Sequence, residues 1–252
     1  MKIGLIGAGR LGICLALLIE QEGYHVIASD VREDYIKDLQ NKKINSTEPQ
    51  VQELLEHSIN LEFTTDNRKV IRESDIIFTL VQTPSLEDGS YDVSAVWKVV
   101  EDIKQEMSSI ANYPKSFVVG CTTNPGDCDK FKEALPKSVD VYYNPEFIAQ
   151  GSIVDDLRHA DMVLLGGEGQ HSGALEMIYY QIQNGFKVAN VSTMSARAAE
   201  LTKIAVNCYL TTKITYANQV GQVMIRDGME DEVVTVLKAI GSDSRIGTKY
   251  LN

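Results

Sequence analysis

Short apolar runs alternate with amphipathic stretches over most of the chain. The apolar runs predict strands, because each is short and is bounded by turn-forming residues. The predicted strands are residues 3–6, 25–29, 61–64, 75–81, 116–120, 139–143, 162–165 and 188–191. The stretches between them predict helices at 13–19, 33–40, 50–57, 67–73, 94–109, 127–135 and 173–183. This alternation over short connections is typical of an α/β protein with a doubly wound parallel sheet.

The pattern changes at residue 195. Residues 195–226 contain no proline and only one glycine, Gly221, and their apolar positions recur at helical spacing. They predict one helix of unusual length for a globular domain, which could connect two domains or form the seam of a dimer. A short helix, 231–240, follows it.

The first strand runs directly into a glycine-rich turn. Gly7, Gly9 and Gly12 form the pattern G-x-G-x-x-G between this strand and the first helix. Gly7 would make the tight turn, Gly9 would let a diphosphate approach the backbone, and Gly12 would let the helix pack on the strand. The helix start would offer backbone N–H groups and its positive dipole end to the diphosphate. The alternative is a glycine turn in some other α/β protein.

The second strand ends at Asp30, close to the spacing expected for the acid that binds a ribose 2′-hydroxyl. Its charge would repel a 2′-phosphate, whereas Arg32 could attract one. NAD is therefore the expected cofactor rather than NADP. We expect residues 1–192 to form an NAD-binding Rossmann domain and residues 193–252 to form a central helical region that mediates dimerisation.

The composition of the chain limits the classes of binding partner and the cellular location that we expect. The net charge of −11 argues against nucleic acid and against an anionic membrane. No apolar run approaches the roughly 20 residues of a membrane span. The cysteines lack metal-ligand spacing and are more typical of reduced thiols than of a disulfide framework; they are Cys14, Cys121, Cys128 and Cys208. We expect a cytoplasmic protein without a metal site.

Polar residues follow several strands, at the edge where ligands of open α/β sheets bind. Thr83-Pro84 and Thr122 lie at such positions. Their hydroxyls could reach a cofactor or a water, or the residues could form ordinary polar turns. Glu146, in the segment N-P-E-F, could act as a general base, orient a water or cap a helix.

Lys203 and Asn207 lie four residues apart on the long helix, so their side chains share a face. Together they could stabilise an oxyanion, and the lysine could take a proton if burial lowers its pKa. Lys203 could equally be a solvated surface charge.

Several motifs follow one another along the chain: GAGRLG, VQTPSLEDGSYD, CTTNPG, YNPEF, AELTKIAVNCYLTTKITYANQVG and GSDSRIG. Their order and approximate spacing resemble those of the UDP-glucose/GDP-mannose dehydrogenase family over essentially the whole chain. The resemblance implies an NAD-dependent enzyme that oxidises the C6 alcohol of a nucleotide sugar to a carboxylate in two hydride transfers. In that family a cysteine thiohemiacetal and thioester connect the two steps.

The resemblance also implies residue roles. Thr122 matches the threonine that holds the catalytic water, and Glu146 matches the glutamate of the N-P-E-F motif. Lys203 and Asn207 match the pair that stabilises the oxyanion, and the long helix matches the dimerising helix. The expected cofactor contacts are Gly7, Gly9, Arg10, Leu11, Gly12, Asp30, Arg32, Thr83, Pro84, Thr122 and Gln150. The expected substrate contacts are Phe147, Ile148, Lys203, Asn207 and Arg245.

Two departures from the family pattern change the expected chemistry. After N-P-E-F the family continues leucine-arginine-glutamate-glycine, whereas this chain has Gln150 in place of the glutamate, and an amide cannot accept a proton. The family's catalytic cysteine lies in a loop beyond R-I-G, and none of the four cysteines here occupies that position. The covalent route is therefore expected to need a cysteine loop and a second nucleotide-binding domain from outside these residues, for example from a separate chain.

Three hypotheses follow. The first is a nucleotide-sugar dehydrogenase whose missing part is supplied elsewhere. The second is a two-electron hydroxyacid-type dehydrogenase, in which Lys203 and Asn207 complete a single alcohol oxidation without a cysteine. The third is a non-catalytic NAD-binding dimer.

Overall fold

The computed structural model describes residues 1–109, 113–148, 151–183 and 190–251. By its internal packing the chain divides into two units, Met1–Leu201 and Thr202–Asn252. The boundary expected between residues 192 and 193 remains a prediction.

The described strands of the first unit form one sheet in the order β3-β2-β1-β4-β5-β6-β7-β8. They are β1 (Lys2–Ile6), β2 (His25–Ser29), β3 (Leu61–Thr64), β4 (Ile76–Thr79), β5 (Lys115–Val119), β6 (Val139–Tyr143), β7 (Met162–Gly166) and β8 (Asn190–Met194). Neighbours from β3 to β6 pair in parallel, which confirms the predicted doubly wound sheet. The structure adds that β7 runs antiparallel to β6 and parallel to β8.

Helices connect these strands close to the predicted positions. They are α1 (Arg10–Gln21), α2 (Glu33–Gln40), α3 (Val51–His57), α4 (Asn67–Glu73), α5 (Ser94–Ser109), α6 (Asp127–Ala134), α7 (Ile153–Arg158) and α8 (Ser172–Ile182). Helix α7 was not predicted, because its 6 residues give too little periodicity to recognise. Strand β4 ends before the predicted limit of residue 81, and residues 188 and 189 of the predicted last strand lie outside the described residues.

Helices cover both faces of the sheet. Buried side chains of α1, α2, α3, α7 and α8 form one apolar cluster, and those of α4, α5 and α6 form the other. Strand β1 contributes to both, because Ile3 and Leu5 belong to the first cluster and Ile6 to the second. A central strand buried on both faces is apolar without alternation, which explains why the sequence shows a continuous run there.

The second unit begins within the long helix α9 (Ala196–Arg226), which confirms the predicted long helix. A short 3-10 helix (Glu230–Glu232) and α10 (Val233–Gly241) follow it. The described buried apolar side chains of this unit are few: Ala217, Leu237 and Leu251 form one cluster, and Met224 is also buried. Across the described part of the chain, no helix combines the length and the apolar character that crossing a membrane requires.

Candidate functional site

The carboxyl ends of β1 and β4 meet where the strand order reverses. From β1 the chain proceeds outward to β2 and β3, and it then returns to β4 on the other side of β1. Open α/β sheets bind their ligands at such a reversal. A cleft of about 740 Å³ opens there. Its walls include the predicted residues Gly7, Gly9, Arg10, Asp30 and Arg32.

The three glycines of the loop between β1 and α1 meet different constraints. Gly7 has a φ of +99°, and a Cβ there would lie 2.6 Å from the carbonyl oxygen of Leu80. A Cβ at Gly12 would lie 2.1 Å from the carbonyl oxygen of Gly7, so close packing excludes a side chain. A Cβ at Gly9 would meet nothing within 4 Å. The fold itself therefore does not require glycine at position 9, whereas a ligand that approaches the backbone would require it.

The first turn of α1 is suited to bind an anion. Gly9 is its N-cap residue and supplies no side-chain hydrogen bond, and the first turn contains no acidic residue. The positive end of the helix dipole is therefore not offset by a carboxylate of its own. Leu11 is partly buried and packs against the apolar core.

Asp30 follows β2 and lies on the cleft wall, in an ion pair with Arg32. Arg32 donates from Nε to Asp30 Oδ1 over 2.8 Å and from Nη2 to Oδ2 over 2.9 Å. The guanidinium carbon lies 4.1 Å from the ring centroid of Tyr35, whose hydroxyl donates to the Ala8 carbonyl over 2.9 Å. This chain of contacts ties the acid at the end of β2 to the glycine loop.

Burial disfavours the charged form of Asp30, but the hydrogen bonds from Arg32 outweigh it and lower the pKa of Asp30 below its usual value. The carboxylate therefore stays ionised in the cleft and can accept hydrogen bonds from hydroxyl groups. Arg32 directs its charge to Asp30 with two donors, which disfavours a role as a separate 2′-phosphate site.

The loop after β4 also reaches the cleft. Gln82 lines it, and Thr83 and Pro84 follow Gln82 directly. The Pro84 carbonyl accepts a hydrogen bond from the Asp92 N–H over 2.9 Å, which fixes the far end of this loop. Asn67 and Lys98 also line the cleft, although no local sequence motif marks either residue.

Thr122 lies in the loop between β5 and α6, which a fully buried carboxylate holds in place. Glu200 of α9 accepts hydrogen bonds from Thr123 Oγ1 at 2.9 Å and from the backbone N–H groups of Gly126 and Cys128 at 2.6 and 2.9 Å. The carboxylate caps the start of α6, where helix N–H groups otherwise lack partners. The sequence alone does not indicate this role of Glu200, because a lone glutamate at the start of a long helix resembles a solvated charge.

Glu146 lies beyond the end of β6, in contact with the buried Tyr179 of α8. The Tyr179 hydroxyl lies 3.0 Å from Glu146 Oε1 and is also hydrogen-bonded to Asn144 Oδ1. Asn144 donates from Nδ2 to the Leu164 carbonyl over 3.0 Å. Phe147 and Ile148 follow Glu146, and Phe147 packs against one core cluster while Ile148 packs against the other. Gln150 lies outside the described residues.

The second unit contains the remaining predicted residues. Lys203 and Asn207 lie in α9 at the predicted spacing. Arg245 pairs with Asp243, and the backbone next to it is anchored by Lys213, which donates to the carbonyls of Ile246 and Gly247 over 2.9 and 3.0 Å.

The thiols of the first unit are not activated as nucleophiles: Cys14 and Cys128 are buried, and Cys121 is partly exposed. Burial raises the pKa of Cys14 and of Cys121 to about 12, and it raises that of Cys128 well above its usual value. A thiol in these positions stays protonated at neutral pH, and the thiolate is the reactive form.

A doubly wound sheet with a glycine loop and an acid on a cleft at its reversal point defines a dinucleotide-binding domain. Residues 1–183 match the NAD-binding domain of the UDP-glucose/GDP-mannose dehydrogenase family, and residues 197–252 match the central domain of the same family. The chain belongs to this family, whose members are NAD-dependent nucleotide-sugar dehydrogenases.

Individual relatives align over the whole length of this chain. The chain is 32% identical to an uncharacterised protein of Methanocaldococcus jannaschii, over 100% of this chain and 28% of that protein. It is 30% identical to UDP-glucose 6-dehydrogenase of Drosophila melanogaster, over 100% of this chain and 55% of that enzyme. The chain thus spans about half the length of that enzyme.

Solved structures share the fold. A UDP-glucose dehydrogenase from Pyrobaculum islandicum superposes with a TM-score of 0.89 at 26% identity, over 99% of this chain and 58% of that chain. A GDP-mannose dehydrogenase from Pseudomonas aeruginosa superposes with a TM-score of 0.85 at 24% identity, over 100% of this chain and 59% of that chain.

Proposed function

We propose that this chain takes part in the NAD-dependent oxidation of the C6 alcohol of a nucleotide sugar, of the UDP-glucose type, towards a uronic acid. The observation that carries the proposal is the cleft at the ends of β1 and β4, with the glycine loop and Asp30 on its walls. The bound NAD would supply the hydride acceptor. We place the division between the NAD-binding domain and the central helical region at residues 192 and 193.

The residues of the first unit would bind and orient the cofactor. The loop of Gly7, Gly9 and Gly12 and the start of α1, with Arg10 and Leu11, would hold the diphosphate. Asp30, kept ionised by Arg32, would accept hydrogen bonds from a ribose. Thr83, Pro84, Thr122 and Gln150 would complete the cofactor contacts, as the family resemblance implies.

The chemical step needs groups that orient water and stabilise negative charge. By resemblance, Thr122 would hold the water, and Glu146 would act on it or on the reacting oxygen. Lys203 and Asn207 would stabilise the oxyanion, because a cation and an amide donor favour a developing negative charge. Phe147, Ile148 and Arg245 would contact the sugar nucleotide. The long helix α9 would mediate homodimerisation of the chain.

The thiols of the first unit stay protonated, and by resemblance none of the four cysteines, including the exposed Cys208, occupies the family's catalytic position. We therefore propose that oxidation to the acid needs a cysteine loop and a second nucleotide-binding domain that these residues do not include, whether from the same polypeptide or from a separate chain. The relatives extend well beyond the matched region, which is consistent with this proposal.

The proposal is tested with the purified chain in two steps. Isothermal titration calorimetry measures NAD binding, and absorbance then measures NADH formation with a panel of UDP- and GDP-sugars. Lys203→Ala is compared with Lys238→Ala, a matched change at an exposed lysine of α10.

Each outcome separates the hypotheses. NAD binding without turnover is expected of a cofactor-binding part that needs further residues and also of a non-catalytic NAD-binding dimer, and it would count against turnover of these sugars by the isolated chain. Two NADH per sugar would show that the family cysteine is dispensable here. One NADH per sugar, abolished by Lys203→Ala alone, would favour the two-electron dehydrogenase. Failure to bind NAD would overturn the proposal.

A further inference from the structure

Asn124 connects two loops that follow neighbouring strands of the sheet. It belongs to the loop between β5 and α6, two residues after Thr122. Its side-chain Oδ1 accepts a hydrogen bond from the backbone N–H of Tyr91 over 2.8 Å, and its Nδ2 donates to the Tyr91 carbonyl over 3.0 Å. One amide group therefore binds both backbone polar groups of a residue in the other loop, which lies between β4 and α5.

The orientation of the Asn124 side chain is fixed by Asp127 of α6. Asp127 Oδ2 accepts from Asn124 Nδ2 over 2.8 Å and from the Asn124 backbone N–H over 3.0 Å. Asp127 is 3% exposed, and its Oδ1 accepts from the Lys130 ammonium over 2.8 Å. Because a carboxylate only accepts hydrogen bonds, the nitrogen of the Asn124 side chain faces Asp127 and the oxygen is left for the Tyr91 N–H.

The two loops differ in what holds them. The loop that carries Asn124 is fixed by the buried Glu200, through the contacts described above. Residues 83–92 form the other loop, which we call the β4 hairpin. In the described part of the chain, the hydrogen bonds that leave the β4 hairpin go to the Asn124 side chain, apart from a local bond between Asp92 and Ser94. The position of the β4 hairpin therefore depends on Asn124.

The contact at Tyr91 reaches Thr83 and Pro84 through the backbone of the β4 hairpin. Ser85 and Tyr91 form an antiparallel bridge, and the Asp92 N–H donates to the Pro84 carbonyl over 2.9 Å. Thr83 and Pro84 thus lie on the side of the hairpin that pairs with the side bound by Asn124. A change at Asn124 would move the two residues expected to contact the cofactor.

The sheet order indicates which half of NAD would lie against the β4 hairpin. Asp30 follows β2 on one side of β1, whereas the β4 hairpin and Thr122 follow strands on the other side. With a ribose at Asp30 and the diphosphate on the glycine loop, the adenosine half occupies the β2 side. The nicotinamide half then extends over the ends of β4 and β5.

We propose that Asn124 is a positioning residue for the nicotinamide half of NAD, because it holds the β4 hairpin against the loop that carries Thr122. Asn124 acts through the backbone of Tyr91 rather than through a cofactor contact of its own. It fixes Thr83 and Pro84 before NAD binds, so binding does not have to order the hairpin, which would reduce the affinity. The placement of Thr83, Pro84 and Thr122 beside the cofactor rests on the proposed function.

The test compares NAD with ADP, which contains only the adenosine half and the diphosphate. Isothermal titration calorimetry measures both ligands on the wild-type chain and on Asn124→Ala. We expect about fivefold weaker NAD binding in Asn124→Ala, because the released hairpin must be ordered on binding, and an unchanged ADP affinity. Ser90→Ala is the matched control, because it removes a hydrogen bond to Asp88 within the hairpin and should change neither affinity.

A general disturbance of the sheet edge would give a different result. If Asn124→Ala weakened NAD and ADP binding equally, the proposal would be overturned. An NAD affinity equal to that of the wild type would overturn it as well. The titrations contain no sugar, so the proposed oxidation can fail while this inference holds, and equal NAD affinities would refute this inference alone. Failure of the wild type to bind NAD would overturn both.

A second measurement, on the wild type, covers the case in which Asn124→Ala does not fold. Amide hydrogen exchange followed by NMR reports on the Tyr91 N–H, which is bonded to Asn124 Oδ1 and should be protected in the free chain. Saturating NAD should slow its exchange further, whereas saturating ADP should not. The Gly120 N–H, bonded to the Thr79 carbonyl over 2.9 Å, is the internal reference. An unprotected Tyr91 N–H, or equal slowing by the two ligands, would contradict the proposal.

Discussion

Two Asp-x-Arg segments form the same local ion pair in different regions of the molecule. In Asp30–Arg32 and in Asp243–Arg245 the arginine donates from Nε to Oδ1 and from Nη2 to Oδ2, and its backbone N–H also donates to Oδ1. The surroundings differ: the side chain of Asp30 is 9% exposed, and that of Asp243 is 36% exposed. Only the first pair lines the large cleft.

The two pairs differ in how strongly burial opposes the ionisation of the aspartate. For Asp30 burial acts against ionisation, and the hydrogen bonds from Arg32 overcome it. For Asp243 the hydrogen bonds from Arg245 lower the pKa, and burial opposes them only weakly. We infer that an ion pair indicates a binding site when it keeps a carboxylate charged in a place where burial would neutralise it. The hydrogen-bond pattern of the pair does not by itself indicate a binding site, because both pairs have the same pattern.

Substitution of the aspartate should produce the largest difference in NAD affinity between the two pairs. Asp30→Ala removes a charged acceptor for the ribose hydroxyls, and a hydrogen bond to a charged group contributes about 1.5–3 kcal/mol, so we expect roughly 10- to 100-fold weaker NAD binding. Asp243→Ala is the matched control and should leave the NAD affinity unchanged. Isothermal titration calorimetry measures both, and equal affinities for the two variants would contradict the assignment of Asp30.

A change in the cleft that leaves the ion pair intact sharpens the comparison. Gly9→Ala adds a methyl group that meets no protein atom within 4 Å, so we expect the melting temperature to remain unchanged. The same methyl would obstruct a diphosphate against the backbone, and we expect about tenfold weaker NAD binding. Gly173→Ala, also in open space at a helix start, is the control for the substitution itself. Unchanged NAD affinity in Gly9→Ala would move the diphosphate away from this loop.

Much of the fold could be predicted because its signals are local. The apolar run of β1, the glycine turn and the helical period of 195–226 can each be read from neighbouring residues. The reversed direction of β7 could not, since it is set by pairing between the ends of distant segments, Tyr143 with Gly166.

The residues of the candidate site also fall into two groups: those that a local sequence signal predicts and those that depend on distant contacts. Asp30 was found from its distance along the chain to the glycine loop. Glu200, Tyr179 and Lys213 were not, because each acts on backbone or side-chain groups that lie 33 or more residues away along the chain. A buried capping carboxylate and a surface glutamate have the same sequence signature, and only tertiary packing distinguishes them.

The arginine of the first pair should matter less than the acid, and mainly at low pH. The folded pKa of Asp30 lies below its usual value, so the pair adds stability that is present above the unfolded pKa and is lost as pH falls through the folded pKa. In Arg32→Ala the side-chain hydrogen bonds and the charge that oppose burial are lost, so the pKa of Asp30 rises and NAD affinity should begin to fall at a higher pH on acidification. At neutral pH the loss should be at most about fivefold, because the Arg32 side chain is 56% exposed and solvent screens its charge, which limits its contribution to about 1 kcal/mol. Calorimetric titrations over a pH series measure this, and identical pH profiles for Arg32→Ala and the wild type would count against the pairing.

The arginine of the second pair should have the smallest effect. The Arg245 side chain is 86% exposed, and the backbone beside it is already anchored by Lys213. We expect Arg245→Ala to leave both the melting temperature and the NAD affinity unchanged, because an exposed pair gives up as much hydration as it gains in attraction. Differential scanning calorimetry and NAD titration check this. A lower melting temperature of Arg245→Ala would mean that the second pair also stabilises a carboxylate charge that burial disfavours. The contrast between the two regions would then disappear.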